Sequence, residues 1–230
     1  RRPLSSRDVS RLYAGPLSEF EIEHLEFNLS AVFHHIRKCL PANCIVVNEH
    51  DRMLAMSNKA IQFSVAEKMG IKVPNYIISN KKNDVIEFVK NQDSVVKPLS
   101  IGAFKKNNLR CELLTRRIPL HLIESLPESQ FFTPVIVQEE IKSSIEYRVV
   151  VFGDKAFPFK MVRRSTSQEI SVDIREEVDF GYIGSRIDHS ELEHIAVSIV
   201  RGSGLKFSSI DFLERQGEVF MLDMNPNGQW

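Results

Sequence analysis

Residues 207–228 read FSSIDFLERQGEVFMLDMNPNG and carry the most informative pattern in the sequence. Two apolar stretches flank a turn at Gln216–Gly217, which predicts an antiparallel hairpin. Asp211 and Asp223 each lie inside one of these stretches, where a carboxylate is costly to desolvate unless something pairs with it. The turn places the two aspartates opposite each other to within one residue of register.

Asn225 lies two residues beyond Asp223 and is therefore predicted to point to the same face of the sheet. Three oxygen donors would then converge, two of them anionic and without a cation between them. Such a set, with positions left for phosphate oxygens, is typical of Mg²⁺ beside a nucleotide. The alternative is a solvated face with both carboxylates in water. We favour the metal because like charges opposite each other on a sheet are otherwise destabilising.

The rest of the chain predicts an α+β protein with antiparallel sheets in two lobes and a boundary near residue 133. One predicted helix ends at Gly70 and is expected to bury Ile61, Val65 and Met69. Residues 100–132 are predicted to be irregular apart from one short helix. The other predicted elements are helices over 19–39, 84–89 and 190–201, strands over 44–48, 76–78, 94–97 and 135–139, and a hairpin over 146–162.

The composition argues against several classes of partner. The 30 Lys and Arg residues balance the 30 Asp and Glu residues, so no net charge attracts the chain to nucleic acid or to an anionic membrane. The longest apolar runs have the length of strands, so no segment of this sequence resembles a transmembrane span or a signal peptide. Cys39, Cys44 and Cys111 lack the spacing of zinc or redox sites and indicate reduced thiols in a cytoplasmic protein.

Several polar residues at the ends of predicted elements are candidates for nucleotide contacts. Lys97 ends a strand just before Pro98, and Lys59 lies in the first turn of a helix, where its charge opposes the helix dipole. Each lysine is ambiguous alone, because most strand-end lysines are simply exposed. The strand end at 138–141 predicts free backbone groups that can bind an adenine edge, with Glu146 on a ribose; the alternative is an ordinary hairpin with charged ends.

A basic segment begins in the last residues of the 146–162 hairpin and continues beyond it, and it includes Lys160, Arg163 and Arg175. Guanidinium groups suit phosphate and developing acyl-phosphate charge because each binds two oxygens at once. A solvated charged face is the alternative, and we assign Arg164 to it. We expect the part from Lys160 to Arg175 to contact an acidic peptide.

Taken in order, these segments resemble the ATP-grasp superfamily, and the resemblance runs from about residue 40 to the end. No single motif is specific, but the ordered series is. The series is similar to the ribosomal-protein glutamate ligase type and, within it, to the peptide-modifying ligases of the microviridin (graspetide) class. The matching segments are 57–59, 70–74, 95–98, 137–141, 146–148, 173–175, 210–212 and 223–228.

The resemblance implies a magnesium-dependent ligase that holds ATP between two α+β lobes and activates a carboxylate as an acyl phosphate. The sequence departs from the family at two places. It has Asp at position 223, where Glu is usual, and its glycine-rich loop is reduced to residues 101–103. The implied contacts are Lys59 and Lys97 on the ATP phosphates, Gln138, Glu139, Glu140 and Ile141 at the adenine hinge, Glu146 on the ribose, Arg163 and Arg175 on the transferred phosphate, and Asp211, Asp223 and Asn225 on Mg²⁺.

The resemblance also implies a division into residues 1–53, a remnant of an N-terminal domain with its linker, a central lobe over 54–132, and a C-terminal lobe with the metal site over 133–230. Because the sequence lacks an initiator Met, we expect it to be a piece of a longer protein.

For the graspetide class, the implied substrate is a precursor peptide with a leader segment, whose Asp or Glu side chains are joined to Ser, Thr or Lys side chains. Members of this class often form homodimers. Three alternatives remain: a ligase that adds a free amino acid such as glutamate to a protein or small molecule, a catalytically inactive nucleotide-binding module, and a purely structural domain.

Overall fold

The computed structural model describes residues 17–99, 103–106, 109–112, 115–142, 145–162 and 183–228. The chain divides into two compact units between Val46 and Val47. Within the described ranges, no helix is long and apolar enough to cross a membrane.

The first unit contains helix α1, Glu19–Lys38, as its periodicity predicts. A capping box begins the helix: the Ser18 hydroxyl oxygen accepts from the Glu21 N–H at 3.3 Å, and the Glu21 carboxylate accepts from the Ser18 N–H at 2.8 Å. The strand predicted over 44–48 is wrong, because this segment has no regular structure and Ile45 is 77% exposed. A run of β-branched residues favours a strand only where a sheet face is available to pack against.

The second unit begins at Val47 and contains both main sheets. Its helices are α2 His50–Ala55, α3 Lys59–Lys68, α4 Lys82–Lys90, α5 Leu120–Ser125, a 3₁₀ turn over Glu128–Gln130, and α6 Ser190–Gly202. Its strands are β1 Tyr76–Ser79, β2 Ser94–Lys97, β3 Ala103–Lys106, β4 Leu109–Glu112, β5 Arg116–Arg117, β6 Val135–Glu139, β7 Ile145–Phe152, β8 Lys155–Val162, β9 Ile183–Arg186, β10 Phe207–Arg215 and β11 Glu218–Asn225.

The first sheet has four antiparallel strands in the order β1-β6-β2-β5. Through Val137, its central strand β6 packs on one face against α4 and α5. Ile136, on the opposite face of β6, belongs to the larger core of the unit. Lys97 lies directly opposite Ile136, and side chains alternate along a strand, so Lys97 and Gln138 share this second face.

The second sheet has five antiparallel strands in the order β11-β10-β7-β8-β9. Helix α6 covers one face, where the buried α6 residues and the apolar residues of β7 and β10 form a single core. The members of that core in these elements are Leu192, Ala196, Ile199 and Val200 of α6, Tyr147, Val149 and Val151 of β7, and Ile210 and Phe212 of β10. We call the opposite face the site face; it carries Glu146, Arg148, Ser209, Asp211, Asp223 and Asn225.

These two antiparallel sheets with their helices confirm the predicted α+β class. The predicted irregular region over 100–132 also contains the β3–β4 hairpin and β5, because strands of two to four residues are too short to give a recognisable alternation. Strand pairing changes from the first sheet to the second between Glu139 and Ile145. The division into 1–53, 54–132 and 133–230 stays a proposal.

Candidate active site

The hairpin of β10 and β11 brings the predicted metal ligands together. Gln216 and Gly217 both have positive φ, 56° and 79°, the conformation that a two-residue turn between twisted strands requires. Asp211 and Asp223 are direct cross-strand partners, and a register shift follows immediately between Asp211 and Phe212. Ile210 and Phe212 are fully buried beneath α6, so the Asp211 side chain between them must lie on the site face. Asn225 is in the next same-face position along β11.

Each of the two carboxylates has its own cation partner, so the expectation that the pair has no cation partner is wrong. Arg148 of β7 donates from Nε to Asp211 Oδ1 at 2.8 Å and from Nη2 to Oδ2 at 3.0 Å. Lys59 of α3 donates from Nζ to Asp223 Oδ1 at 2.6 Å. These pairs offset the repulsion between the facing carboxylates. The side chains of Asp211 and Asp223 remain 28% and 40% exposed, so a ligand can still reach them.

A row of polar and aromatic side chains crosses the second sheet from its β11 edge to β9. Successive direct partners in this row are Asp223, Asp211, Arg148, Phe159 and Arg186. The Arg186 guanidinium lies 5.4 Å from the centre of the Phe157 ring, which lies on the same face. An anionic group bound near the aspartates therefore has guanidinium groups beside it on the same surface.

Arg148 is a site-face residue to which the sequence patterns assign no role of its own. It lies between Tyr147 and Val149, which are 5% and 0% exposed. A charged residue inside an apolar strand indicates a charge that is paired, and this pattern is present at Arg148 as it is at the two aspartates. The pattern alone could not show that β7 pairs with β10, which places Arg148 opposite Asp211.

Of the two predicted phosphate lysines, Lys59 contacts the acidic hairpin directly, and the segment after Lys97 contacts the backbone of Lys59. Asn58 caps α3, with its Oδ1 accepting from the Ala60 N–H at 2.9 Å. The Lys59 N–H donates to the Leu99 carbonyl at 2.9 Å, and Leu99 lies two residues after Lys97 at the end of β2. The Lys59 side chain in turn holds Asp223, so this residue connects the Lys97 strand end with the aspartates.

The strand end at 139–141 offers fewer free backbone groups than predicted. The Glu139 N–H donates to the Asn75 carbonyl and the Glu140 N–H to the Asp93 carbonyl, both at 2.8 Å. The prediction of free N–H groups is therefore wrong for these two residues, because each is held by a neighbouring segment. Among the backbone hydrogen bonds of the described residues, none is donated by the Ile141 N–H.

The side chains at this strand end are also fixed. Glu139 accepts from Arg215 Nη1 at 2.5 Å, which joins the end of β6 to the end of β10. Glu140 accepts from Arg117 Nη2 at 2.7 Å, and Arg117 Nε lies 3.0 Å from each Glu140 oxygen. Neither glutamate side chain is thus available to a nucleotide without giving up an arginine.

Gln138 differs from its neighbours. Its side chain is 1% exposed, and among the described residues its Nε2 has no hydrogen-bond partner. A buried donor of this kind is normally satisfied by protein, water or ligand. Glu146 of β7 lies opposite Leu213 and two residues before Arg148, which places it on the site face.

The predicted phosphate ligands Arg163 and Arg175 lie outside the described residues, as does most of the basic segment from Lys160 to Arg175. The structure brings together Lys59, Asp211 and Asp223 by direct contact or strand pairing, with Asn225 beside them. The chain just after Lys97 meets the backbone of Lys59 through the Leu99 carbonyl.

The donor set fits a metal that is held jointly with a nucleotide. Within the described ranges, no group of three or more His, Cys, Asp and Glu side chains is suited to a metal ion. Asp211 and Asp223 face each other with Asn225 beside them, which supplies two carboxylates and one amide oxygen. Mg²⁺ next to a nucleotide usually takes one or two carboxylates and completes its shell with phosphate oxygens and water. These residues therefore fit Mg²⁺ with ATP and do not form a cage for a metal alone.

Tyr147 lies behind the site, on the buried face of β7. Its hydroxyl donates to Glu214 Oε2 at 2.6 Å, and its ring meets the His189 ring edge-on at 5.7 Å. Burial, followed by this hydrogen bond and the charge of Glu214, raises the pKa of Tyr147 to about 12.

The raised pKa of Tyr147 makes the fold sensitive to alkali. Because the folded pKa lies above the ordinary value of 10.0, the stabilisation is complete below that pH and is lost as the pH rises toward about 12. We expect the free energy of unfolding to fall more steeply with pH over this window in the wild type than in Tyr147→Phe. Urea unfolding across the window measures both slopes, and equal slopes would contradict the assignment.

No protein-family model and no curated protein matches the sequence. Solved structures do match. A RiPP-associated ATP-grasp ligase from Chryseobacterium gregarium, in complex with ADP and a leader and core peptide, matches with a TM-score of 0.78 and 16% identity over 93% of this chain and 64% of that one. The macrocyclase MdnC from Microcystis aeruginosa, bound with precursor peptide MdnA, matches with a TM-score of 0.72 and 21% identity over 96% of this chain and 68% of that one.

A D-alanine–D-alanine ligase from Bacillus anthracis matches more distantly, with a TM-score of 0.52 and 17% identity over 75% of this chain and 56% of that one. The chain thus spans about two thirds of the length of the first two proteins. Their names agree with the resemblance that the ordered motifs indicate. The fold of this chain is that of the ATP-grasp ligases.

Proposed function

We propose that this chain is an ATP-dependent carboxylate ligase that forms side-chain ester or amide crosslinks in a ribosomally made precursor peptide. The observation that carries the proposal is the direct pairing of Asp211 with Asp223 on the site face, with Lys59 and Arg148 bound to them. An acidic pair with adjacent cations suits a nucleotide phosphate and its metal. The peptide substrate is supported by the fold similarity to ligases solved with leader and precursor peptides.

In this proposal, Asp211, Asp223 and Asn225 hold Mg²⁺. When bound, the ion neutralises phosphate charge and orients the phosphate oxygens. Lys59 exchanges Asp223 Oδ1 for a phosphate oxygen, which its position at the start of α3 allows because only the flexible side chain has to move. Lys97 contacts the phosphates from the end of β2.

The donors near the end of β6 are assigned to the base, and Glu146 is assigned to the ribose. Among the described residues, the Ile141 N–H donates no backbone hydrogen bond and the buried Gln138 Nε2 has no partner; Gln138 lies near the end of β6 and Ile141 two residues after that end. We assign them, with carbonyl groups of Glu139 and Glu140, to adenine. Glu146 accepts from the ribose hydroxyls, since it lies on the site face next to Arg148.

The chemistry needs no nucleophile from the protein. An Asp or Glu carboxylate of the substrate attacks the γ-phosphorus, the bond to the bridging oxygen breaks, and ADP leaves. Arg148, Arg163 and Arg175 stabilise the charge on the transferred group. A Ser or Thr hydroxyl or a Lys amine then attacks the acyl carbon, loses a proton, and displaces phosphate. One oxygen of the original carboxylate leaves in that phosphate, so the peptide loses one water per crosslink.

The test is to incubate the protein, ATP and Mg²⁺ with candidate precursor peptides that contain Asp or Glu together with Ser, Thr or Lys. We expect ADP and a peptide that is lighter by one water per crosslink, measured by mass spectrometry. With an ¹⁸O-labelled donor carboxylate, one labelled oxygen should appear in the released phosphate.

Other outcomes identify the alternatives. A mass gain equal to one residue indicates addition of a free amino acid, a reaction class for which the D-alanine–D-alanine ligase similarity is the supporting observation. Failure to form ADP with any substrate indicates a nucleotide-binding module without catalysis and contradicts the proposal.

We place the protein in the cytoplasm, where ATP and reduced thiols occur together.

A further inference from the structure

Three side chains from residues 48–62 bind three positions at the end of β11 and just after it. Lys59 binds the Asp223 side chain, Gln62 binds the Met224 backbone, and Asn48 binds the Pro226 backbone. The proposed ligands Asp223 and Asn225 therefore lie among residues that are held from outside the sheet.

Gln62 clamps Met224 with both ends of its amide. Its Oε1 accepts from the Met224 N–H at 2.9 Å, and its Nε2 donates to the Met224 carbonyl at 2.7 Å. The same Nε2 donates to the Met56 carbonyl, also at 2.7 Å. Gln62 is 1% exposed, so no donor of this amide is left to be satisfied by solvent.

The position of β11 explains why such a clamp matters. β11 is an edge strand, with β10 on one side only. The Gln62 amide takes the place of a neighbouring backbone at Met224, the residue between Asp223 and Asn225. Without it, this end of the edge strand would lose one of its restraints and fray more readily.

Asn48 ties the same end of the hairpin to its other strand. Its Oδ1 accepts from the N–H groups of Lys206 at 2.8 Å and Phe207 at 3.0 Å. Its Nδ2 donates to the carbonyl groups of Phe207 at 2.7 Å and Pro226 at 2.8 Å. One side chain thus fixes the start of β10, which carries Asp211, to the residue that follows Asn225.

We propose that Gln62 and Asn48 are positioning residues that set Asp223 and Asn225 relative to Asp211 before a metal binds. The inference rests on the proposed function, because it assumes that these three residues bind Mg²⁺. Mg²⁺ demands near-ideal octahedral geometry, so small displacements of its ligands weaken binding. Residues that orient metal ligands typically affect metal affinity by about 10- to 100-fold.

The test uses two variants that remove the donors and a matched control. Asn48→Asp keeps an acceptor for Lys206 and Phe207 but puts an oxygen in place of the Nδ2 donor. Gln62→Met keeps the length of the side chain and removes its amide. The control Asn91→Asp makes the same chemical change at the exposed end of α4, where the Asn91 Nδ2 donates to the Glu87 carbonyl at 3.0 Å.

The readout is Mn²⁺ binding to the protein–ADP complex, measured from the electron paramagnetic resonance of free Mn²⁺, with thermal melting as the check of folding. We expect Asn48→Asp and Gln62→Met each to weaken Mn²⁺ binding by about tenfold or more, while ADP affinity without divalent metal changes by less than about twofold. Asn91→Asp should match the wild type in both.

Different results overturn different claims. A folded variant that binds Mn²⁺ as the wild type does overturns the positioning role and leaves the proposed function intact. An equal loss of metal-free ADP affinity also overturns it, because that indicates general damage. A wild type that binds no Mn²⁺ with ADP overturns the proposed function and this inference together.

A second measurement uses the wild type alone. The Met224 amide should be protected from hydrogen exchange before metal is added, and an unprotected amide contradicts preorganisation.

Discussion

Replacing Asp223 by Asn is expected to lower Mg²⁺-dependent ATP turnover by at least about 100-fold. The substitution keeps the size of the side chain and an oxygen for the Lys59 ammonium, which lies 2.6 Å from Asp223 Oδ1, so the fold should survive. It removes one of the two anionic oxygen ligands opposite the phosphates. Release of ADP at saturating Mg²⁺ and peptide measures the loss.

Glu218→Gln is the matched control for this substitution. Glu218 lies at the start of the same strand and is likewise paired with a lysine, Lys72, but its side chain is 54% exposed and lies far along β11 from Asp223. We expect its turnover to stay within about twofold of the wild type, since exposed ion pairs contribute little. Similar losses in the two variants would show that Asp223 has no special role.

Replacing Arg148 by Met is expected to reduce turnover by at least about 100-fold as well. The guanidinium binds both oxygens of Asp211, at 2.8 and 3.0 Å, and lies in the row that leads from the aspartates to Arg186. Its loss leaves Asp211 without its cation and removes a positive charge beside the transferred phosphate. The turnover number and the Michaelis constant for ATP should be measured separately, and we expect most of the effect in the turnover number.

Two further variants define what Arg148 contributes. Arg148→Lys keeps the charge but cannot bind two oxygens in a fixed plane, so its turnover should lie between those of Arg148→Met and the wild type. Arg201→Met removes an exposed arginine from the end of α6 and should leave turnover unchanged. Wild-type turnover in Arg148→Met would exclude a role for this residue in the reaction.

Local patterns were sufficient to predict much of the fold. The turn at Gln216–Gly217 and the apolar stretches around it specify the β10–β11 hairpin, because the two positive φ angles and the alternation are properties of neighbouring residues. That turn alone would pair Asp211 with Leu222, and Asp211 faces Asp223 because of the register shift between Asp211 and Phe212, which the turn does not specify. The strands β2 and β6 were likewise predicted with the observed bounds, Ser94–Lys97 and Val135–Glu139.

The cations of the site could not be predicted in this way. Lys59 is separated by 164 residues from Asp223, and Arg148 by 63 residues from Asp211. Only the pairing of β7 with β10 and the packing of α3 beside β11 bring them together. Spacing within a short motif contains no information on either contact, so the aspartates were expected to lack a cation.

Helix α3 likewise shows that local patterns cannot predict contacts between residues that are distant in sequence. Ile61 and Met69 were expected in its buried face but are 40% and 39% exposed, whereas Gln62 and Phe63 are buried. Hydrophobic periodicity assigns a glutamine to solvent because a buried amide is costly unless every group is paired. Gln62 meets that condition only through Met56 and Met224, and Met224 lies 162 residues away.

The most direct measurement is the position of a metal in crystals of the protein grown with ADP and Mn²⁺, located by anomalous scattering. We expect a peak between the Asp211 and Asp223 carboxylates, at roughly 2.1 Å from an oxygen of each, with the Asn225 oxygen as a further ligand and the Lys59 ammonium moved onto a phosphate. ADP bound with Mn²⁺ elsewhere, and Lys59 still paired with Asp223, would contradict a metal site on this hairpin.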